Sequence, residues 1–248
     1  MDLSSAVIIP RKPVIGNYES ILFGKAFTGS EGISGASFST ITRPLINSVI
    51  VAVGVVAITL VLATPAAYSH SRLDFRGKGQ SFIAIFLPRI LPVMIMALPF
   101  FILFFRIGLI NTHVGLMLVH SAITIPMATW ILRDFFDGIP KDYEEAAMVD
   151  GATRLQAVIK VLAPLLSPGL IAVATFALMT SWGEFFFALT LTENLTLPPY
   201  IISFRSPHKL EYGELAASVI IASIPPFAFA TILQKYLTKA VIVGSLKR

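Results

Sequence analysis

Few residues in this chain are suited to making or breaking bonds, and their spacing does not support it. His70, His113, His120 and His208 are scattered, with no HExxH pair or other metal-ligand spacing. No GxSxG elbow raises a serine nucleophile, no GxxxxGK loop followed by Ser or Thr cradles a nucleotide, and cysteine is absent. His120-Ser121 would suit an intramembrane hydrolase, but a helix-packing role accounts for them more simply. Two charges stand out instead. Glu184 sits in Ser181-Trp182-Gly183-Glu184-Phe185-Phe186-Phe187, and Arg89 lies between Pro88 and Pro92. Ionisable groups in apolar runs are costly and usually face a bundle interior or a wet cavity. Their chemistry would be that of a solute pathway, with Trp182 and Phe185 offering flat faces that suit stacking on sugar rings. Two other readings stay open. Glu184 pairs structurally with a neighbouring helix, and Arg89 snorkels to the interface or pairs with Glu184 or Glu214.

A second stretch, residues 140–169, is polar between apolar neighbours. Asp142 is placed to cap a helix, with Glu145 three residues on to complete a capping box. Asp150-Gly151 stops that helix, the glycine supplying a left-handed residue. Thr153 starts another, with Gln156 as its box partner. Two short helices thus meet at a glycine corner, with Tyr143, Ala146 and Ala147 on one side of the first and Asp142, Glu144 and Glu145 elsewhere. Such a knob suits docking on another protein as well as it suits an ordinary interhelical loop.

The elements that must position these groups are membrane spans. The chain is 55% apolar and only 13% charged, about half the ~25% charge of a soluble domain. The fold class is all-α, a polytopic bundle. Five runs approach the ~20 apolar residues needed to cross the hydrocarbon: 44–68, 81–105, 114–132, 165–191 and 215–236. The second carries Pro88, Pro92 and Pro99 and is expected to be kinked, the third carries Pro126, and the fifth carries Pro225-Pro226. Residues 1–42 are too broken by Pro, Gly and Ser to span, and no secretory signal is visible there.

Basic residues give the orientation. Arg72, Arg76 and Lys78, then Arg133, Lys141, Arg154 and Lys160, then Lys235, Lys239, Lys247 and Arg248 fall on one side if five spans alternate. The positive-inside rule makes that side cytoplasmic, with residues 237–248 as a cytoplasmic tail and 1–42 outside. The net charge of +5 is therefore loop charge facing membrane lipid, and no nucleic-acid signature accompanies it.

Glu145-Ala146-Ala147, then Gly151 after three intervening residues, then Val161-Leu162-Ala163-Pro164 resembles the EAA motif of permease subunits in binding-protein-dependent ABC importers. Where the family usually has Ile-x-Leu-Pro, this chain keeps apolar residues and Pro164. The likeness is to the carbohydrate (maltose-permease-like) branch of the MetI-like superfamily and extends from about Asn17-Tyr18 to Arg248. Ser181 to Phe187 resembles that branch's Trp-Asn-Glu-Phe region, with Gly183 in place of Asn. The resemblance implies a transmembrane permease domain over 43–236, whose coupling loop, 138–164, uses Tyr143, Glu144, Glu145, Ala146, Ala147, Asp150, Gly151 and Pro164 to engage an ATPase. It implies a solute pathway at Trp182, Gly183, Glu184, Phe185 and Arg89. It also implies three partners: a second permease subunit, an ATP-binding cassette dimer that holds the ATP, and an extracytoplasmic solute-binding protein. The membrane would be a bacterial or archaeal inner membrane. These relatives carry an apolar span before residue 17, so truncation or a misassigned start is expected. The implied cargo is a sugar or polyol, with polyamine, phosphate or peptide as alternatives within the family. A secondary transporter is the rival class; it would need more intramembrane carboxylates or an inverted repeat.

Overall fold

Twelve short and long helices follow one another in a computed structural model that describes residues 15–23, 41–193, 196–203 and 212–245, without the side chains of 203 and 233–245. In order they are α1 (Gly16–Phe23), α2 (Thr42–Arg72), α3 (Lys78–Ile90), α4 (Val93–Arg106), α5 (His113–Asp137), α6 (Asp142–Val149), α7 (Arg154–Ala157), α8 (Ala163–Leu165), α9 (Ser167–Trp182), α10 (Phe186–Leu191), α11 (Leu197–Ser203) and α12 (Tyr212–Ser245). A π-helical turn, Val158–Leu162, joins α7 to α8. Most of the broken N-terminal region expected over 1–42 lies outside the described residues, apart from α1.

The 31-residue α2 is the axis of the bundle. Its buried seam is built from small residues, Ala52, Ala63 and Ala67 among them, which lets α5 and α9 approach closely. The core runs along it in three zones. At one end Ile21, Ile41, Trp182, Leu197, Tyr200 and Ala217 pack together. In the middle Val51, Val55, Phe104, Val119 and Phe187 do so. At the far end Ala63, Ala67, Leu132, Phe136, Leu162 and Leu166 close the bundle. There α9 begins so close to α5 that a Cβ on Gly169 would stand 2.6 Å from Cγ of Phe135. A hydroxyl pair, Thr59 and Thr124 at 2.7 Å, ties α2 to α5 midway.

Among the described residues three helices, α2, α5 and α12 (its first 21 residues), are long and apolar enough to cross a membrane, and up to five spans result if each of two bent pairs is one span. The first pair, α3 and α4, bends by 98° at Leu91-Pro92, where proline denies the helix a donor. The second bend, of 77°, lies between α8 and α9, and Pro164 and Pro168 flank it.

The fourth run is not continuous from 165 to 191. It stops after Trp182 and resumes at Phe186, because the Glu184 side chain takes the amide protons that would have continued the helix. The fifth runs further than expected, since α12 passes through Tyr236 to Ser245 without a backbone break. The segment after Thr196 holds α11. Residues 204–211 and 246–248 lie outside the described residues.

Candidate functional site: a projecting elbow and a broken span

The chain leaves α5 through Gly138 and enters α6 already helical. Asp142 therefore does not cap: Lys141 holds the N-cap position in a right-handed helical conformation with no side-chain bond. Asp142, Glu144 and Glu145 instead fill the first turn, where negative charge meets the positive end of the helix dipole. The helix ends at Asp150, and Gly151 takes φ +90°, a left-handed value that side chains disfavour. Thr153 then caps α7 in a complete box. Its hydroxyl accepts from the Gln156 amide at 3.3 Å, and the Gln156 carbonyl accepts from the Thr153 amide at 2.9 Å.

In the resulting elbow Tyr143, Glu144, Glu145, Ala146 and Ala147 lie on α6, Asp150 and Gly151 at the corner after it, and Pro164 on α8 beyond the π-helical turn. Glu145, Ala146, Asp150, Gly151 and Pro164 are exposed, Tyr143 is half-exposed and Ala147 intermediate. Val149 is 87% exposed, and Leu155 and Ile159 are exposed as well. Glu144 departs from the expectation. It turns inward, 5% exposed, where the Tyr68 hydroxyl donates to it. Arg72 and Arg154 stand 3.8 Å from its two oxygens.

The elbow sits at the C-terminal end of α2. The start of α11 sits at the other: the Leu197 amide donates to Ser48 Oγ at 2.9 Å. Ser48 and Arg72 are 24 residues apart along one helix, about 36 Å at 1.5 Å per residue. The elbow and the segment after Thr196 therefore lie at opposite ends of the bundle. Around the elbow, the guanidinium of Arg72 donates to the Ile139 carbonyl at 2.6 Å, Ser71 donates to Asp137 at 2.5 Å, and Arg133 pairs with Asp137 at 3.6 Å.

The broken span is the second site. Glu184 lies in the gap between α9 and α10, and its carboxylate accepts from the amides of Phe187 (2.9 Å) and Ala188 (3.2 Å). His120 of α5, 1% exposed, meets the same carboxylate through Nε2 at 3.1 Å, and its Nδ1 faces Ser181 Oγ at 3.0 Å. Sequence reasoning set His120 aside as a packing residue. It does join helices, but its acid partner, 64 positions away, left no local signal. Arg89 does not pair with Glu184 or Glu214. It donates to the Ile123 carbonyl at 3.3 Å and lies over the Phe176 ring at 5.9 Å, because the α3–α4 bend sets it against α5 and α9. Among the described residues, no three His, Asp or Glu side chains converge as a metal site.

Trp182 is 7% exposed, and its indole N–H donates to the Ala222 carbonyl at 3.2 Å. That carbonyl lies four residues before Pro226, which has no amide to return. Trp182, Gly183, Leu197, Pro198, Ala222 and Phe227 bound an apolar cavity of about 300 Å³. Trp182→Phe is expected to lower stability by about 1–2 kcal/mol, the cost of one buried acceptor left unpaired. Adding Pro226→Ala should recover part of it, because residue 226 then supplies the missing donor. Thermal unfolding of the single and double variants in detergent checks this, and strictly additive losses would refute the pairing.

Residues 56–243 match the family model described as a binding-protein-dependent transport system inner membrane component. The chain is 33% identical over 245 residues to the trehalose transport system permease protein SugB of Mycobacterium tuberculosis, covering 97% of this chain and 84% of that one. It is 32% identical over 205 residues to the trehalose/maltose transport system permease protein MalG of Thermococcus litoralis, covering 81% of this chain and 74% of the relative. A chain of a bacterial ABC transporter involved in import of the acidic polysaccharide alginate shares the fold, with a TM-score of 0.69 over 79% of this chain and 75% of that chain at 22% identity.

Proposed function

The chain belongs to the family of binding-protein-dependent transport system inner membrane components, and from that premise we propose that it forms half of the translocation pathway of an importer for a sugar or sugar-like solute, driven through the α6–α7 elbow. The observation that carries this reading is the elbow itself: two short helices joined at a left-handed glycine, the second one boxed, with exposed apolar side chains at one end of the bundle. A family member without a phosphate-binding loop needs a nucleotide-hydrolysing partner, and this surface is shaped to receive one. The basic residues Arg72, Arg76, Lys78, Arg133, Lys141, Arg154 and Lys160 fall at or next to the elbow, which favours that end as cytoplasmic.

In this reading a second permease subunit completes the pathway, two ATPase subunits receive the two elbows, and a solute-binding protein delivers cargo at the α11 end. The C-terminus is cytoplasmic. The gap at Gly183, Glu184 and Phe185 forms the irregular part of the pathway wall, as non-helical backbone at membrane depth does where it lines a cavity. Trp182 braces that wall from behind, Glu184 shapes it, and Arg89 stands on its rim. A sugar is favoured because two relatives spanning most of this chain are named for trehalose or maltose transport. ATP binding by the partner biases the pathway only to the extent that the partner grips the two states differently.

Co-expression of the tagged chain with the ATP-binding cassette ATPases of its own organism tests the reading. One of them is expected to co-purify in detergent and to hydrolyse ATP in the complex. A chain that is fully inserted yet recovers no ATPase would overturn the proposal and favour a transporter driven by ion gradients.

A further inference from the structure

The elbow is bound to the bundle by one acidic side chain. Glu144 is the only charged residue of α6 that is buried; Asp142 and Glu145, on the same turn, face outward. Its carboxylate crosses to the end of α2, where Tyr68 donates a short hydrogen bond to it. Two arginines flank it from different elements: Arg72 on α2, with Nε 3.8 Å from one oxygen, and Arg154 on α7, with Nε 3.8 Å from the other. Neither distance is a hydrogen bond. Arg72 Nε is buried and has no hydrogen-bond partner, while another nitrogen of the same guanidinium is committed to the Ile139 carbonyl. A buried donor normally finds an acceptor. Here the acceptor is in view and about one ångström too far away.

That gap has a direction. A shift of α6 toward α2 would bring the Arg72 contact toward hydrogen-bonding distance, and a shift away would lengthen it. In neither case can the carboxylate leave, since it would strand a buried guanidinium. The α2 turns next to this contact carry Ala63 and Ala67, which pack against Leu132, Phe136, Leu162 and Leu166 of α5 and the segment leading into α9. Any displacement of the elbow is therefore delivered to the helix on which the others rest.

We propose that Glu144 is the positioning residue that passes elbow displacement to α2, alternating between a loose and a tight pairing with Arg72. The proposal rests on the docking role given to the elbow above and adds the route by which that role reaches the spans.

The chain contains no cysteine, so one introduced pair reports cleanly from this subunit. Spin labels at Val53 on α2 and Ile224 on α12, both exposed, would be measured in the transporter assembled with its ATPase in lipid vesicles, with and without a non-hydrolysable ATP analogue. In the otherwise unmodified chain the analogue is expected to shift the label distance. In Glu144→Gln, which keeps the size and loses the charge, ATPase recovery should stay within about twofold while the shift is lost. Should that variant fail to accumulate, Tyr68→Phe carries the same comparison, with the shift at least halved. A full shift in either variant overturns the proposal, as does the absence of any shift in the unmodified chain. A tenfold loss of ATPase recovery in Glu144→Gln would make Glu144 a support for the elbow's shape alone, which also overturns it. If the unmodified chain recovers no ATPase, the docking role itself fails first and this route with it.

Discussion

Gly151→Asp is expected to cut ATPase recovery by more than tenfold while leaving the chain inserted and folded. The reason is conformational, not steric. A Cβ at Gly151 would meet nothing within 4 Å, yet the backbone sits at φ +90°. An L side chain in the left-handed region costs roughly 1–2 kcal/mol. Aspartate adds a second acidic group beside Asp150 at the negative end of α6, worth about 0.3–1 kcal/mol more. The cheapest relief is to rotate φ back to negative values, which swings α6 away from α7 and separates Tyr143, Ala146 and Val149 from Leu155 and Ile159. A tenfold change corresponds to about 1.4 kcal/mol, so the expected strain is enough to break the docking surface without unfolding the bundle. Gly151→Asn, which tolerates the left-handed region better, should lose only a few-fold. Size-exclusion profiles and membrane fractionation establish insertion, and co-purification reads docking. Undiminished ATPase recovery in Gly151→Asp would remove the corner from the docking surface.

How far the sequence foretells these features depends on the range of the forces involved. The corner at Gly151 and the Thr153–Gln156 box are legible because both are made by residues within four positions of one another. The apolar runs of α2 and α5 are legible because the bilayer demands a length. The Asp142 cap misleads because the preceding turn brings Lys141 in already helical; a cap depends on how the chain arrives, which three residues do not encode. Glu144 reads as one acid among three and is distinguished only by Tyr68 and Arg72, more than 70 positions earlier. The break after Trp182 is half-legible. Gly183 and an intramembrane Glu184 mark the place, but continuous hydropathy through Phe185, Phe186 and Phe187 argues for one helix. What decides is that Glu184, held by His120, competes with the backbone for the amides of Phe187 and Ala188. Arg89 had several acidic partners within plausible reach along the sequence, and the bend of α3 against α4 decided among them by giving it a carbonyl and a ring instead.

The same competition sets the effect of Glu184→Ala. Removing the carboxylate takes the acceptor from the Phe187 and Ala188 amides and the partner from His120 Nε2. Each buried donor left without its acceptor costs about 1–3 kcal/mol. The expected result is a large loss of thermal stability in detergent and loss of most uptake in cells, with α9 tending to run on into α10 and erase the gap at Gly183–Phe185. Glu184→Gln separates shape from charge. Its carbonyl can still accept from the Phe187 amide and its NH2 can donate to His120, so stability should fall by only about 1 kcal/mol, the scale of one exchanged hydrogen bond, and most uptake should persist. His120→Ala removes one contact of that carboxylate and keeps its two amide bonds, so it should cost less than Glu184→Ala, and the double variant should be little worse than Glu184→Ala. Unfolding curves for the four chains, with uptake of labelled trehalose as a first probe of transport, decide the matter. Glu184→Gln that keeps its stability but loses uptake would show that the solute or the pathway needs the charge itself. Glu184→Ala that unfolds and transports like the unmodified chain would mean that the carboxylate neither shapes the gap nor lines it.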